Sequence, residues 1–214
     1  MNHYHQGQPV FTIGVPLTQA RAAAIMIHGR GATAESILSL ANEFNASDLA
    51  YLAPQAANNT WYPYRFLEPL GRNEPWLSSA LQVVDDLIKY VIASGIPTER
   101  LMLLGFSQGA CLTLDYAARH AQRYGGLVGL SGGLIGPEIE PQRYAGSFGG
   151  TPIFLGCSDI DPHIPLERVH ATTRLLQQLG GDVTERIYPD MDHTVNQDEI
   201  DFVSQLLQDV SHSA

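Results

Sequence analysis

Residues 101–114 read Leu101-Met-Leu-Leu-Gly-Phe-Ser-Gln-Gly-Ala-Cys-Leu-Thr-Leu114. The opening four are a short apolar run, as expected of a strand buried on both faces. From Cys111, Leu112 and Leu114 onward the pattern becomes helical, to about His120. Gly105-Phe-Ser-Gln-Gly109 must therefore turn the chain from strand to helix within a few residues. Such a tight turn strains the Ser107 backbone, presents its hydroxyl above the sheet, and needs glycines where side chains would collide. In a chain with 20 Gly the pentapeptide alone is a weak signal, since a glycine-rich turn with an idle serine also satisfies it. The strand–turn–helix setting makes it a candidate nucleophile site.

The pattern on either side repeats. Toward the N-terminus, Ala22 to His28 is a strand candidate running into Gly29-Arg-Gly31, and Ile37, Leu38, Leu40, Ala41 and Phe44 predict a helix over 33–44. Leu49 to Ala53 reads as a strand stopped by Pro54, followed by an irregular stretch up to Trp76. Leu77, Leu81, Val84, Leu87, Ile88 and Val91 then line one helix face ending near Gly95 and Pro97. Toward the C-terminus, strands are expected at Leu127–Leu130, Ile153–Leu155 and Val183–Tyr188. A helix opens at Pro165 and stops at Gly180-Gly181. Asn196-Gln-Asp-Glu199 has the form of a capping box before a last helix with Ile200, Val203, Leu206, Leu207 and Val210 on its face. With no repeat or linker to divide the chain, residues 1–214 are expected to form a single α/β domain. Its mostly parallel central sheet should carry helices on both faces, with ligands at the carboxyl ends of the strands.

Bulk properties narrow the function. A content of 44% hydrophobic and 16% charged residues is that of an ordinary globular protein. No run approaches the roughly eighteen apolar residues of a membrane span. The opening Met1-Asn-His-Tyr-His-Gln-Gly-Gln-Pro9 lacks the basic and apolar regions of a signal peptide, so a cytoplasmic location is expected. A formal net charge of −10, with 22 acidic against 12 basic residues and no basic cluster, argues against nucleic-acid binding. Cys111 and Cys157 fall in apolar segments and read as buried free thiols. No Cys/His grouping has metal-ligand spacing, and His3 and His5 read as part of an exposed polar tail.

A serine hydroxyl needs a neighbouring base to become a nucleophile. In α/β-hydrolases the chain order is Ser, acid, His, which selects His193, in Pro189-Asp-Met-Asp-His-Thr194 between the last strand and the last helix. His163, in another loop after a strand, is the rival base. Two carboxylates follow Ile153–Leu155. Asp161 is the expected acid, because Pro162 and Pro165 hold it between rigid points. Asp159, nearer the strand, reads as a turn former that accepts backbone N–H groups. For the oxyanion formed in acyl transfer, the backbone N–H groups of Gln108 and Arg30 are the expected donors. The Arg30 side chain reads either as attracting an anionic group at the mouth of the site or as solvated or salt-bridged.

His28-Gly-Arg-Gly31, Gly105-Phe-Ser-Gln-Gly109, Asp161-Pro-x-x-Pro165 and Met191-Asp-His193 together resemble the phospholipase/carboxylesterase family of α/β-hydrolases, which includes acyl-protein thioesterases. The similarity extends over nearly the whole chain. It implies an α/β-hydrolase fold without a large cap domain, substrates that are small carboxylic esters or thioesters, and no cofactor. Two positions depart from the family's lipid-active members, which carry Asp and Gly where this chain has Ala32 and Ala110. That points away from long-chain lipid or acylated-protein substrates. A more distant resemblance to dienelactone hydrolases fails at the nucleophile, which is Cys in those proteins and Ser107 here.

Trp61 and Trp76, in an aromatic stretch that follows a strand, are expected to line an acyl or aryl pocket, with residues 132–150 as the opposite wall. The leading expectation is a serine carboxylesterase working through an acyl-enzyme. A thioesterase or lysophospholipase on the same residues is the nearest rival, and a non-catalytic binding protein on this fold is a different class. The expected partner is a small-molecule ester, and the sequence leaves a homodimer open.

Overall fold

Among residues 4–212, those described by this computed structural model, seven strands form one sheet in the order β1-β3-β2-β4-β5-β6-β7. The six strands expected from the sequence are β2 (Ala22–Ile27), β3 (Leu49–Pro54), β4 (Leu101–Phe106), β5 (Gly126–Leu130), β6 (Pro152–Ser158) and β7 (Asp182–Tyr188), and all six run parallel. β1 (Val10–Gly14) pairs with β3 antiparallel, Val10 opposite Pro54 and Gly14 opposite Ala50. It was not expected, because an edge strand needs little burial: Val10 is 45% and Ile13 38% exposed, and no apolar alternation marks the segment.

Successive side chains of a strand point to opposite faces, so each apolar run feeds two cores. Ala23, Ile25 and Ile27 of β2, with Leu101 and Leu103 of β4, pack against α3 (Trp76–Ala93), α4 (Gln108–Arg119) and α5 (Leu166–Gln178). Ala22, Ala24, Met26, Met102 and Leu104 face α1 (Ala34–Leu38) and α6 (Gln197–His212). This double coverage is why the central strands show continuous rather than alternating hydrophobicity.

Three expectations change. The helix expected over 33–44 is only α1, capped by Thr33, and a 3₁₀ turn over Ser39–Asn42 continues it. The irregular stretch before Trp76 contains a one-turn helix, α2 (Leu70–Asn73). His5 is not on an exposed tail. It is 2% exposed, its Nε2 donates to the Trp61 carbonyl at 2.9 Å, and its Nδ1 accepts the Ala57 N–H at 3.2 Å. Burial lowers its pKa, in keeping with a neutral ring making those bonds. His3 lies outside the described residues. Both cysteines are buried and free, as expected, and burial pushes each thiol up to about 12.

Candidate active site

Ser107 joins β4 to α4 with φ 55° and ψ −120°, a conformation that L-residues occupy only under constraint. Its N–H donates to the Leu130 carbonyl of β5 at 2.9 Å, and its carbonyl accepts from Cys111 at 3.0 Å. The flanking glycines are needed for space: a Cβ on Gly105 would collide with the Gly109 carbonyl, and one on Gly109 with the Ile27 carbonyl of β2. The turn is thus wedged against the neighbouring strand.

His193, in the loop between β7 and α6, stands with Nε2 2.8 Å from Ser107 Oγ. Its Nδ1 lies 2.6 Å from Asp161 Oδ2. The remaining oxygen of Asp161 accepts the backbone N–H groups of His163 at 2.8 Å and Ile164 at 3.0 Å. Burial pushes this carboxyl up, but the His193 bond and the two backbone donors outweigh it, and its pKa is lowered overall. A charged Asp161 fixes the imidazole with Nδ1–H toward the acid and a free Nε2 lone pair toward the serine. Asp159 takes a different part, accepting the Asp190 N–H at 2.9 Å and so tying the acid loop to the His193 loop. His163 reaches neither Ser107 nor Asp161 with its ring, which lies edge-on to His193 with centres 4.9 Å apart.

The two expected oxyanion donors approach from separate elements. Gln108 opens α4, and Arg30 follows β2. Among the described residues neither N–H donates to another backbone group. His28 holds the Arg30 loop: its Nδ1 donates to the Gly29 carbonyl at 2.8 Å and its Nε2 accepts the Ala56 N–H at 3.1 Å. The Gln108 side chain accepts the Trp61 N–H at 2.9 Å and donates to the Tyr62 carbonyl at 2.8 Å. Trp61 then closes the circuit, its indole N–H donating to the His28 carbonyl at 2.9 Å.

A cavity of about 290 Å³ opens beside Ser107, lined by Arg30, Ala32, Tyr62, Phe66, Phe106 and Ile164 among others. Neither tryptophan lines it, contrary to expectation. Trp61 is fully buried behind the site, because its two N–H groups are spent on Gln108 and His28. Trp76 begins α3 and packs on Tyr4, with ring centres 4.8 Å apart. Residues 132–150 do not form the opposite wall either. Asp115, fully buried in α4, accepts from Tyr144 Oη at 2.9 Å, and Arg168 donates to the carbonyls of Leu134 and Gly136 at 2.9 and 2.7 Å. These bonds pull that segment onto α4 and α5. The Arg30 side chain is exposed and, among the described residues, forms no salt bridge; its guanidinium donates to the carbonyls of Pro63 at 2.9 Å and Tyr64 at 2.6 Å. Among the described residues no three His, Cys, Asp or Glu side chains are placed to hold a metal ion.

The sequence profile of the Phospholipase/Carboxylesterase family matches residues 9–211. This chain belongs to that phospholipase/carboxylesterase family. It is a serine hydrolase with the family's α/β-hydrolase fold and no cap. A phospholipase/carboxylesterase structure from Dyadobacter fermentans superposes with a TM-score of 0.92 at 42% identity, covering 96% of this chain and 99% of that one. Acyl-protein thioesterase 1 of Gibberella zeae is 27% identical over 89% of this chain and 91% of its own length. Its namesake in Saccharomyces cerevisiae is 26% identical over 92% and 96%.

Within the family frame, the two unusual alanines have structural counterparts. Ala32 lines the cavity. Ala110 is fully buried, and its methyl occupies the space that a side chain at position 132 would need, which Gly132 leaves free. Phe106 and Ile164 line the site without having been picked out, although each adjoins a motif: Phe106 is the variable residue of the elbow and Ile164 closes the acid loop. The buried circuit of His5, His28, Trp61 and Gln108 had no sequence signal, since its members lie up to 103 residues apart in the numbering.

Proposed function

We propose that this family member is a carboxylesterase that hydrolyses small carboxylic esters through an acyl-enzyme on Ser107. The observation that carries the reading is the continuous line from Ser107 Oγ through His193 to Asp161, at 2.8 and 2.6 Å. Ser107 Oγ attacks the ester carbonyl while its proton passes to His193 Nε2. The carbonyl oxygen becomes an oxyanion that accepts from the Arg30 and Gln108 N–H groups, and Asp161 stabilises the imidazolium. Collapse expels the alkoxide, which takes the proton from Nε2. Water then attacks the acyl-enzyme, giving its proton to the same nitrogen, and collapse of this second intermediate releases the acid as Ser107 Oγ takes the proton back from Nε2. A cavity of about 290 Å³ suits a short acyl or aryl group.

Thioester cleavage is the second reading, favoured by the names of the curated relatives. The same residues would carry it, with a thiolate leaving group. Treatment with a fluorophosphonate tests the common chemistry: Ser107 should be labelled in the native protein, and Ser107→Ala should lose both labelling and hydrolysis while keeping the native melting profile. Labelling of the alanine variant at equal stoichiometry would overturn the assignment. A matched series of oxygen and thio esters of one acyl group then separates the two readings.

A further inference from the structure

The cavity beside Ser107 is positively lined in a negatively charged protein. None of the chain's 22 acidic residues lines it, whereas two of its 12 basic residues, Arg30 and Arg65, do. Among the described residues Arg72, Lys89, Arg119, Arg143 and Arg186 each meet a carboxylate, but neither Arg30 nor Arg65 forms an ion pair. Arg30 is fixed by the Pro63 and Tyr64 carbonyls, with its guanidinium carbon 5.9 Å from the centre of the Tyr62 ring. Carbonyl oxygens orient a guanidinium without cancelling its charge as a carboxylate would. Arg65, one residue beyond the clamped carbonyls, has an exposed side chain. A surface of net charge −10 repels anions at long range, so an unneutralised cationic patch at this cavity reverses the local field where substrate enters.

We infer that the site takes esters bearing a second, ionised carboxylate, which docks on Arg65 in the field of the clamped Arg30. This rests on the ester hydrolysis proposed above and adds the class of substrate. A planar carboxylate matches the guanidinium fork, and the small cavity keeps the two functional groups of the substrate within a short distance of each other. The carboxylate stands on either the acyl or the alcohol side of the ester.

Two pairs of matched substrates distinguish these sides and test the inference. In the acyl arm, para-nitrophenyl hydrogen glutarate is compared with para-nitrophenyl valerate, with spontaneous hydrolysis subtracted. In the alcohol arm, meta-acetoxybenzoate is compared with meta-acetoxybenzamide. One arm should show kcat/KM about five- to tenfold higher for the anionic ester at low salt, the size expected of one half-solvated charge pair. Added sodium chloride should shrink that ratio. Arg65→Gln should bring it toward one, and Arg65→Lys should restore part of it. Equal rates within both pairs, or a ratio untouched by Arg65→Gln, would overturn the inference while leaving ester hydrolysis standing. Failure to cleave any of the four esters, together with no fluorophosphonate labelling of Ser107, would instead remove the esterase reading beneath it.

Discussion

The backbone N–H of Trp61 donates to the side-chain oxygen of Gln108 over 2.9 Å, deep beneath the surface. The same tryptophan donates its indole N–H to the His28 carbonyl. One residue therefore spans the two segments that carry the expected oxyanion donors, the start of α4 and the loop after β2. Buried polar groups held at both ends in this way set distances, because breaking either bond leaves a desolvated donor or acceptor unpaired.

Trp61→Phe keeps an aromatic ring but removes the indole donor and leaves a small cavity at this fully buried position. It should lower kcat by up to about tenfold with little change in KM, the effect of loosening one transition-state donor by roughly 1 kcal/mol. Steady-state kinetics on an aryl ester check this, with a melting curve as control. A rise in KM at unchanged kcat would place Trp61 in substrate binding instead.

Asp161→Asn should lower kcat by about 10⁴, since an amide no longer enforces the tautomer with Nδ1–H toward position 161. Asp159→Asn should cost far less, because an amide oxygen still accepts the Asp190 N–H. Measuring kcat for both folded variants decides between the two residues: a larger loss at position 159 would move the acid.

Removing His193 should cost roughly 10⁴-fold or more in kcat, as for other triad bases. His163→Ala should lose less than about tenfold, since its ring touches His193 only edge-on. Comparing kcat of the two folded variants decides the base: a larger loss at position 163 than at position 193 would move the role to His163.

Glu199 caps α6 through the Asn196 N–H at 2.9 Å, but its other carboxyl oxygen is buried with no hydrogen-bond partner among the described residues. Burial pushes its pKa up from 4.5 to about 7. Between those values the folded state binds more protons than the unfolded one, so this group makes stability fall as pH rises across that window. Asp161 acts oppositely: its lowered pKa adds stability at neutral pH that is lost as pH falls through the acid range. Glu199→Gln mimics the protonated carboxyl. It should stabilise the protein by on the order of 2 kcal/mol at pH near 8 and leave it nearly unchanged near pH 5. Urea midpoints at the two pH values measure this, and an equal shift at both would show that the carboxyl is not titrating.

Much of this molecule was determined by the sequence alone, wherever the deciding physics is local. Leu101–Leu104 followed by Gly105-Phe-Ser-Gln-Gly109 specifies a strand, a turn that only glycine neighbours allow, and a helix, all within one stretch of chain. That Asp161 and not Asp159 would stand beside His193 was legible for the same reason, because proline restricts its immediate neighbours. Apolar runs identified the five inner strands β2–β6, since burial on both faces leaves no other composition, whereas β7 at the sheet edge is only half-buried and includes Thr184, Glu185 and Arg186. Tertiary structure alone decided what depends on side chains meeting across the fold. Trp61 looked like a pocket wall, and it became a buried strut because Gln108 and His28, distant in sequence, consumed its donors. His5 looked like tail and became core through the same circuit. β1 escaped detection because an edge strand is held by backbone bonds to β3, which any sequence can supply. Whether a polar residue is strut, cap or solvent-facing is settled by its partner, and no periodicity records where a partner sixty or a hundred residues away will fall.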